Sequence, residues 1–177
     1  MARYPDANHS YPGKSPGRYT GGPFKIVHHT VEGATASGAI ATFKRRNLWP
    51  HFLVNHTTVY QHLDTGVSAS AVLNKAGGVE TNRLSAVQIE WVGFAGQPKD
   101  RRTLANVAGL CRWLEKEHGI PKRWPAGPPR GEAGPHNRSV ALWTTQGGHY
   151  GHSQVPENSH YDPGALSVAE MALLMGG

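Results

Sequence analysis

Sulfur and long apolar segments are both scarce in this chain. Cys111 is the single cysteine among 177 residues, so no disulfide can form within the chain. No segment approaches the roughly 20 apolar residues of a membrane-spanning helix. Residues 1–22, which are rich in glycine, proline and tyrosine, contain no apolar stretch resembling a signal peptide. We therefore expect a soluble protein that does not insert into membranes.

Acidic residues are outnumbered by basic ones. The chain has 18 lysines and arginines against 12 aspartates and glutamates, which gives a formal net charge of +6. Such a charge favours anionic polymers as partners. The sequence contains no aromatic and basic RNA-binding motif and no recognisable DNA-reading helix, so we do not expect nucleic acid to be that partner.

The length and composition of the chain suit one compact domain. Hydrophobic residues make up a modest 38%, and 22 glycines with 13 prolines predict many loops. We predict an N-terminal extension over residues 1–22 and a single domain over residues 23–177.

Strands and helices are predicted to alternate along this domain. The apolar run from Phe24 predicts a buried strand. The periodic stretch from Thr103 to His118 predicts a helix that buries Cys111. Ser167 is predicted to cap the last helix. Four other segments complete the pattern: a helix over 34–47, a hairpin over 51–54 and 59–63, a loop over 65–83 and a strand over 85–92.

His152 and Asp162, near the end of the chain, are candidate metal ligands. An imidazole and a carboxylate both suit zinc, and a catalytic zinc site usually has three protein ligands and one open position. The best third candidate lies at the end of the first strand, which carries His28 and His29. Neighbouring side chains on a strand point to opposite faces, so only one of these two histidines can join the metal.

Three segments carry a resemblance to a known family. They are the strand ending in His-His-Thr (Phe24–Thr30), the segment Val-Gln-Ile-Glu-Trp-Val-Gly (87–93) and the stretch from Gly-His-Ser to Asp-Pro-Gly (151–164). From about Phe24 to Leu166 the chain resembles the type 2 N-acetylmuramoyl-L-alanine amidases, which are related to peptidoglycan recognition proteins. The likeness is greatest to the amidase domains of endolysins from actinobacteriophages, including mycobacteriophages.

This resemblance implies a fold, an activity and a setting. The fold is α/β, with a mixed central β-sheet of five or six strands flanked by helices and a zinc site in a cleft. The activity is zinc-dependent hydrolysis of the amide bond between N-acetylmuramic acid and L-alanine in bacterial peptidoglycan, by a monomer. The expected setting is the catalytic domain of a phage endolysin, which stays in the host cytoplasm until a holin helps to release it to the cell wall.

The resemblance also implies roles for individual residues. We predict that His28, His152 and Asp162 bind Zn²⁺, with His29 packed behind the strand. Glu90 matches a glutamate that activates the attacking water in this family, although the strand pattern alone fits a solvent-facing side chain equally well. His160 stands where the family has a basic residue, commonly lysine, that stabilises the oxyanion, and an imidazole can donate the same hydrogen bond.

Three alternatives stay open at this point. His160 could replace Asp162 as a metal ligand, although the family spacing favours Asp162. The chain could be a non-catalytic peptidoglycan-binding module, which would normally lack one ligand or the glutamate. It could be a zinc peptidase that cuts the stem peptide, which should carry a different ligand signature. The order His, Glu, His, Asp favours the amidase.

Overall fold

The computed structural model describes residues 2–176 as an α/β fold built on one mixed sheet. Met1, the first residue of the predicted extension 1–22, and Gly177, the last residue of the predicted domain 23–177, lie outside the described residues. The strands are β1 (Lys25–Thr30), β2 (Phe52–Val54), β3 (Val59–Gln61), β4 (Ala86–Trp91) and β5 (Gly148–Gly151). The helices are α1 (Ala36–Arg46), α2 (Arg101–His118), α3 (Val140–Thr145) and α4 (Val168–Leu174). The predicted fold, a mixed β-sheet flanked by helices, is confirmed.

The sheet places β1 and β4 at its centre. Its strand order is β3-β2-β4-β1-β5, with the β2–β3 hairpin antiparallel and every other pairing parallel. Helices cover both faces, so β1 is buried along its whole length. In the parallel register of β1 and β4, His29 lies directly opposite Glu90. These two side chains therefore project from the same face.

One face of the sheet packs against α2. Asp100 caps the start of this helix, because its side chain accepts a hydrogen bond from Thr103 N at 2.8 Å. It ends at Gly119, whose left-handed backbone suits a residue without a Cβ. The apolar stripe of α2, which includes the buried Cys111, packs against Ile26 and Ile89 of the sheet.

The other face carries α1, α3 and the candidate site. Thr35 caps α1, and Ile40 packs on Leu53 of β2. Trp143 of α3 is fully buried against Val27 and Tyr150. The sheet therefore separates two different environments: α2 packs on one face, and the candidate site lies on the other.

Residues 2–22 lie against the domain. Asn8 pairs with the outer edge of β3, receiving a hydrogen bond from Gln61 N at 3.0 Å and donating one to Val59 O at 2.8 Å. Further along, Gly13 N donates to His62 O at 2.9 Å. These contacts cover the β3 edge of the sheet.

Two elements, α3 and β5, had no counterpart in the sequence prediction. The four residues of β5 are Gly-His-Tyr-Gly, which lack the β-branched residues typical of strands. Gly148 has a φ of 138°, which favours glycine. This short strand matters because it delivers His152 to the site. No helix within residues 2–176 is both long and apolar enough to cross a membrane.

Candidate functional site

His29, His152 and Asp162 converge where the central strands end. The Nδ1 atoms of the two histidines are 3.0 Å apart. The Asp162 carboxylate lies 3.3 Å from His29 Nδ1 and 3.1 Å from His152 Nδ1. All three residues are buried and each offers one ligand atom within 4.8 Å of the others.

Backbone structure fixes each of these three residues. His29 comes from β1, and His152 follows β5 directly, opposite His29 in the continued register of the two strands. Asp162 is held by Ser153 N, which donates to its carbonyl oxygen at 2.9 Å, and by Thr30 N, which approaches its carboxylate at 3.4 Å. The arrangement of these three side chains is therefore built on the sheet.

The prediction that His28 joins His152 and Asp162 is wrong. His28 projects from the opposite face of β1, where it is fully buried beside Cys111 and His149. His29 takes the predicted place, because it shares its face of the sheet with Glu90 and His152. His149, which belongs to β5, is also fully buried.

The histidines on the α2 face form a hydrogen-bonded chain. His28 Nε2 and His149 Nδ1 are 3.0 Å apart. The two rings lie within 14° of parallel and their centroids are 5.2 Å apart. This geometry is expected for two rings that are joined edge to edge by one N–H···N hydrogen bond. His149 Nε2 continues the chain to Glu115 Oε1 at 3.0 Å. One proton in each of these two contacts satisfies the facing atoms, so the group of His28, His149 and Cys111 does not require a metal ion.

The site containing His29 has a different geometry that does fit a metal ion. The rings of His29 and His152 are inclined by 60° with centroids 4.5 Å apart, so their nitrogens face a common point. Their outer Nε2 atoms face side-chain oxygens, of Gln88 at 2.7 Å and Asn158 at 3.1 Å. Those oxygens accept hydrogen bonds, which leaves both Nδ1 atoms unprotonated in the neutral rings.

Three acceptor groups therefore face one another at short distances. The Nδ1 lone pairs of His29 and His152 and the carboxylate of Asp162 need a proton or a cation between them. Burial raises the pKa of Asp162, but the surrounding histidines outweigh burial and hold this pKa well below its usual range. Two imidazoles and one carboxylate form a donor set that zinc prefers.

Glu90 lies half-buried beside this cluster. One of its carboxylate oxygens has no hydrogen-bond partner among the described residues. Burial, opposed by the attraction of His29, raises the pKa of Glu90 to about 7. A carboxylate with this pKa can both accept and return a proton near neutral pH.

His160 lies at the exposed side of the cluster. Its ring stacks on His152 with centroids 4.4 Å apart, and its Nδ1 lies 3.4 Å from Asp162 Oδ1. The hydrogen bond to Asp162 raises the pKa of His160, against partial burial. With 64% of its side chain exposed, His160 can contact a molecule that enters from solvent.

A cleft of about 630 Å³ opens above these residues. One wall comes from α1 and the residues after it, including Arg46 and the half-exposed Leu48. The other wall includes Leu73, which is 61% exposed. The predicted loop over 65–83 therefore lines the site. The irregular segment 124–137 instead lines a neighbouring cavity with Gln154.

The sequence prediction and the structure agree on most of the cluster. Glu90, His152, His160 and Asp162 lie in one cleft, together with His29 in place of His28. The prediction did not include Gln88 and Asn158, which contact the two histidines from behind. Both are amides with no spacing rule of their own, so only the folded contacts identify them.

Comparison with known proteins places this chain in a family. The family model described as N-acetylmuramoyl-L-alanine amidase matches residues 23–165, which is most of the chain. No curated protein matches the chain.

Solved structures show the same fold. The hydrolase AmiA of Staphylococcus aureus, solved in complex with its ligand, superposes with a TM-score of 0.64 at 15% identity, covering 98% of this chain and 83% of AmiA. The endolysin N-acetylmuramoyl-L-alanine amidase LysCS from Clostridium intestinale URNW superposes with a TM-score of 0.62 at 18% identity, covering 99% of each chain. With the family match over residues 23–165, the chain belongs to the type 2 N-acetylmuramoyl-L-alanine amidase family.

Proposed function

We propose that this chain is a zinc-dependent amidase that hydrolyses the bond between N-acetylmuramic acid and L-alanine in bacterial peptidoglycan. The observation that carries the proposal is the convergence of His29, His152 and Asp162 beside the half-buried Glu90, at the base of an open cleft. His29, His152 and Asp162 would hold the ion, and the cleft leaves its remaining side accessible to water and substrate.

Each residue near the ion has a role that follows from its surroundings. Bound zinc supplies a Lewis acid that polarises the scissile carbonyl and lowers the pKa of water at the site. Glu90 accepts the proton of the attacking water and returns it to the leaving amine, which its pKa of about 7 permits. Protonated His160 donates a hydrogen bond to the oxyanion that forms at the carbonyl.

The experiment that tests this proposal is mass spectrometry of fragments released from purified peptidoglycan. The amidase reaction frees stem peptides that begin with L-alanine. Release of peptides with other new N-termini would instead indicate a zinc peptidase. Tight binding to peptidoglycan without any release would indicate a recognition module. The Glu90→Gln variant is the control, because it should release nothing above background while it still binds zinc.

We also propose the biological setting of a phage endolysin. The support is the likeness to LysCS, whose name describes it as an endolysin. In this setting a monomer accumulates in the host cytoplasm and reaches the wall once a holin opens the membrane. Expression in a susceptible host should cause lysis with a co-expressed holin and little lysis without one. Equal lysis in both cultures would contradict this setting, and light scattering tests the monomer.

A further inference from the structure

Asn158 is a buried side chain that the proposed chemistry does not use. It lies behind His152, between the ligand positions 152 and 162, with 5% of its surface exposed. Its amide oxygen faces His152 Nε2 at 3.1 Å and accepts a hydrogen bond from Leu73 N at 3.0 Å. Its amide nitrogen donates to Leu73 O at 3.1 Å and to Pro156 O at 2.9 Å. Every hydrogen-bonding position of the amide is therefore occupied.

These backbone contacts fix the orientation of the amide. The Leu73 N–H can only donate, and the carbonyls of Leu73 and Pro156 can only accept, so the amide cannot be turned over without breaking three hydrogen bonds. The oxygen therefore faces His152, and His152 Nε2 must carry the proton. The Nδ1 atom of the neutral ring is then the free nitrogen, and it faces His29 and Asp162.

The same amide also holds one wall of the cleft. Leu73 belongs to the segment 70–74 that lines the cleft opposite α1. Both backbone groups of Leu73 bond to Asn158, so the position of this wall depends on the residue that orients His152. Asn82 holds the same segment from a different side, by accepting from Ala71 N and Val72 N and donating to Val72 O.

We propose that Asn158 is a positioning residue that locks His152 in its Nε2-protonated form and thereby presents Nδ1 to the metal. This inference rests on the proposed function, since it needs His152 to be a ligand. An outer hydrogen-bond acceptor typically changes metal affinity by about 10- to 100-fold, because it fixes both the tautomer and the ring orientation. Through its bonds to Leu73, the same residue also anchors part of the cleft wall.

The test compares three variants of the full chain. Asn158→Leu keeps the approximate volume but removes the acceptor, and Asn158→Asp keeps the acceptor. Asn82→Leu disturbs the same wall without contacting His152. Two quantities are measured: the ¹⁵N NMR tautomer of His152 in metal-free protein, and zinc affinity by competition with a chelator.

We expect His152 to be protonated at Nε2 in the wild type and in Asn158→Asp, and to be a mixture of tautomers in Asn158→Leu. Zinc affinity should fall about 10- to 100-fold in Asn158→Leu and stay within a few-fold in Asn158→Asp. Asn82→Leu should lower the melting temperature but leave both quantities unchanged.

Several outcomes would overturn the proposal. Protonation of His152 at Nδ1 in the wild type would contradict it directly, even if Asn158→Leu does not fold. Unchanged zinc affinity in folded Asn158→Leu would reduce Asn158 to a structural role. A wild-type protein that binds no zinc at all would instead overturn the proposed function, so the two failures are distinguishable.

Discussion

At the residue scale, Glu90 is the group whose environment differs most from that of an ordinary surface carboxylate. Burial raises its pKa to about 7, and one oxygen has no partner among the described residues. We predict that Glu90→Gln lowers kcat by about 10²- to 10⁴-fold, the usual loss for a general base. Zinc content, measured by atomic absorption, should not change, because the amide keeps the shape of the side chain.

The matched control for this variant is Glu117→Gln on the exposed surface of α2. It makes the same chemical change far from the cleft and should leave turnover at the wild-type level. Near-normal turnover of zinc-loaded Glu90→Gln would place the general base elsewhere.

His160 predicts a particular pH dependence. Its hydrogen bond with Asp162 raises its pKa above the ordinary value of 6.5. The imidazolium form is therefore present below the raised pKa and is lost as pH rises through it, so kcat should fall over that interval. His160→Lys should retain activity and extend it to higher pH, because lysine normally stays charged up to about pH 10. His160→Ala should lower kcat at unchanged zinc content.

Zinc assays with the His160 variants separate the remaining alternatives. If His160 were a ligand in place of Asp162, His160→Ala would lose zinc while Asp162→Ala kept it. If the pH profile of His160→Lys matched that of the wild type, the charge of His160 would have no role in the mechanism.

The cluster was predictable from the sequence except for the choice between two neighbouring histidines. His28 and His29 both lie on a strand that is buried on each face, so hydrophobic alternation could not distinguish them. The choice depends on the β1–β4 register, which places His29 opposite Glu90. The register between two parallel strands that are distant in the chain is a property of the assembled sheet. It cannot be read from the residue pattern of either strand alone.

At the scale of elements, the segment 152–164 matters most because it carries two of the three proposed ligands. It is anchored at Gly164, which has a φ of 82° and lies so close to Ala95 that a Cβ would collide with the Ala95 carbonyl. We predict that Gly164→Ala destabilises the protein by about 2–5 kcal/mol, from backbone strain and overpacking together. Urea unfolding monitored by tryptophan fluorescence gives this value.

Gly77→Ala is the control for this element. Gly77 has a similar φ of 74°, but no atom lies within 4 Å of the point that an added Cβ would occupy, so only the backbone strain of about 1–2 kcal/mol applies. Equal losses in the two variants would show that the contact with Ala95 does not anchor the segment.

Elements with a strong periodic pattern were predictable from the sequence, whereas α3 and β5 were not. The amphipathic repeat of α2 predicts that helix to within two residues of its observed start. By contrast, β5 is four residues long and contains two glycines, and α3 has six residues. Such short elements are stabilised mainly by packing against other elements rather than by their own sequence. Here Trp143 of α3 packs against Val27 of β1 and Tyr150 of β5.

At the scale of the whole molecule, a buried lysine makes folding sensitive to pH. Lys25 is fully buried at the start of β1, where Nζ donates to the carbonyls of Pro23 and Leu84 and lies over the Trp143 ring. Burial lowers its pKa from 10.5 to about 7. The unfolded chain therefore binds more protons than the native state between those values, and stability should rise with pH across that interval.

The variant Lys25→Met removes this titration. Its free energy of unfolding should change less between about pH 7 and pH 9.5 than that of the wild type, whose increase is at most about 1.4 kcal/mol per pH unit. Lys116→Met, at an exposed position on α2, should follow the wild type. Parallel pH dependences for Lys25→Met and the wild type would mean that Lys25 stays charged in the folded protein.

The central sheet carries a hydrogen-bonded chain of histidines on one face and the three proposed metal ligands on the other. Anomalous X-ray diffraction at the zinc edge, from crystals grown with equimolar zinc, tests this separation most directly. We predict one anomalous peak, bounded by Nδ1 of His29, Nδ1 of His152 and the carboxylate of Asp162. A peak beside His28, Cys111 and His149 would contradict the account, as would crystals without any peak from protein that still hydrolyses peptidoglycan.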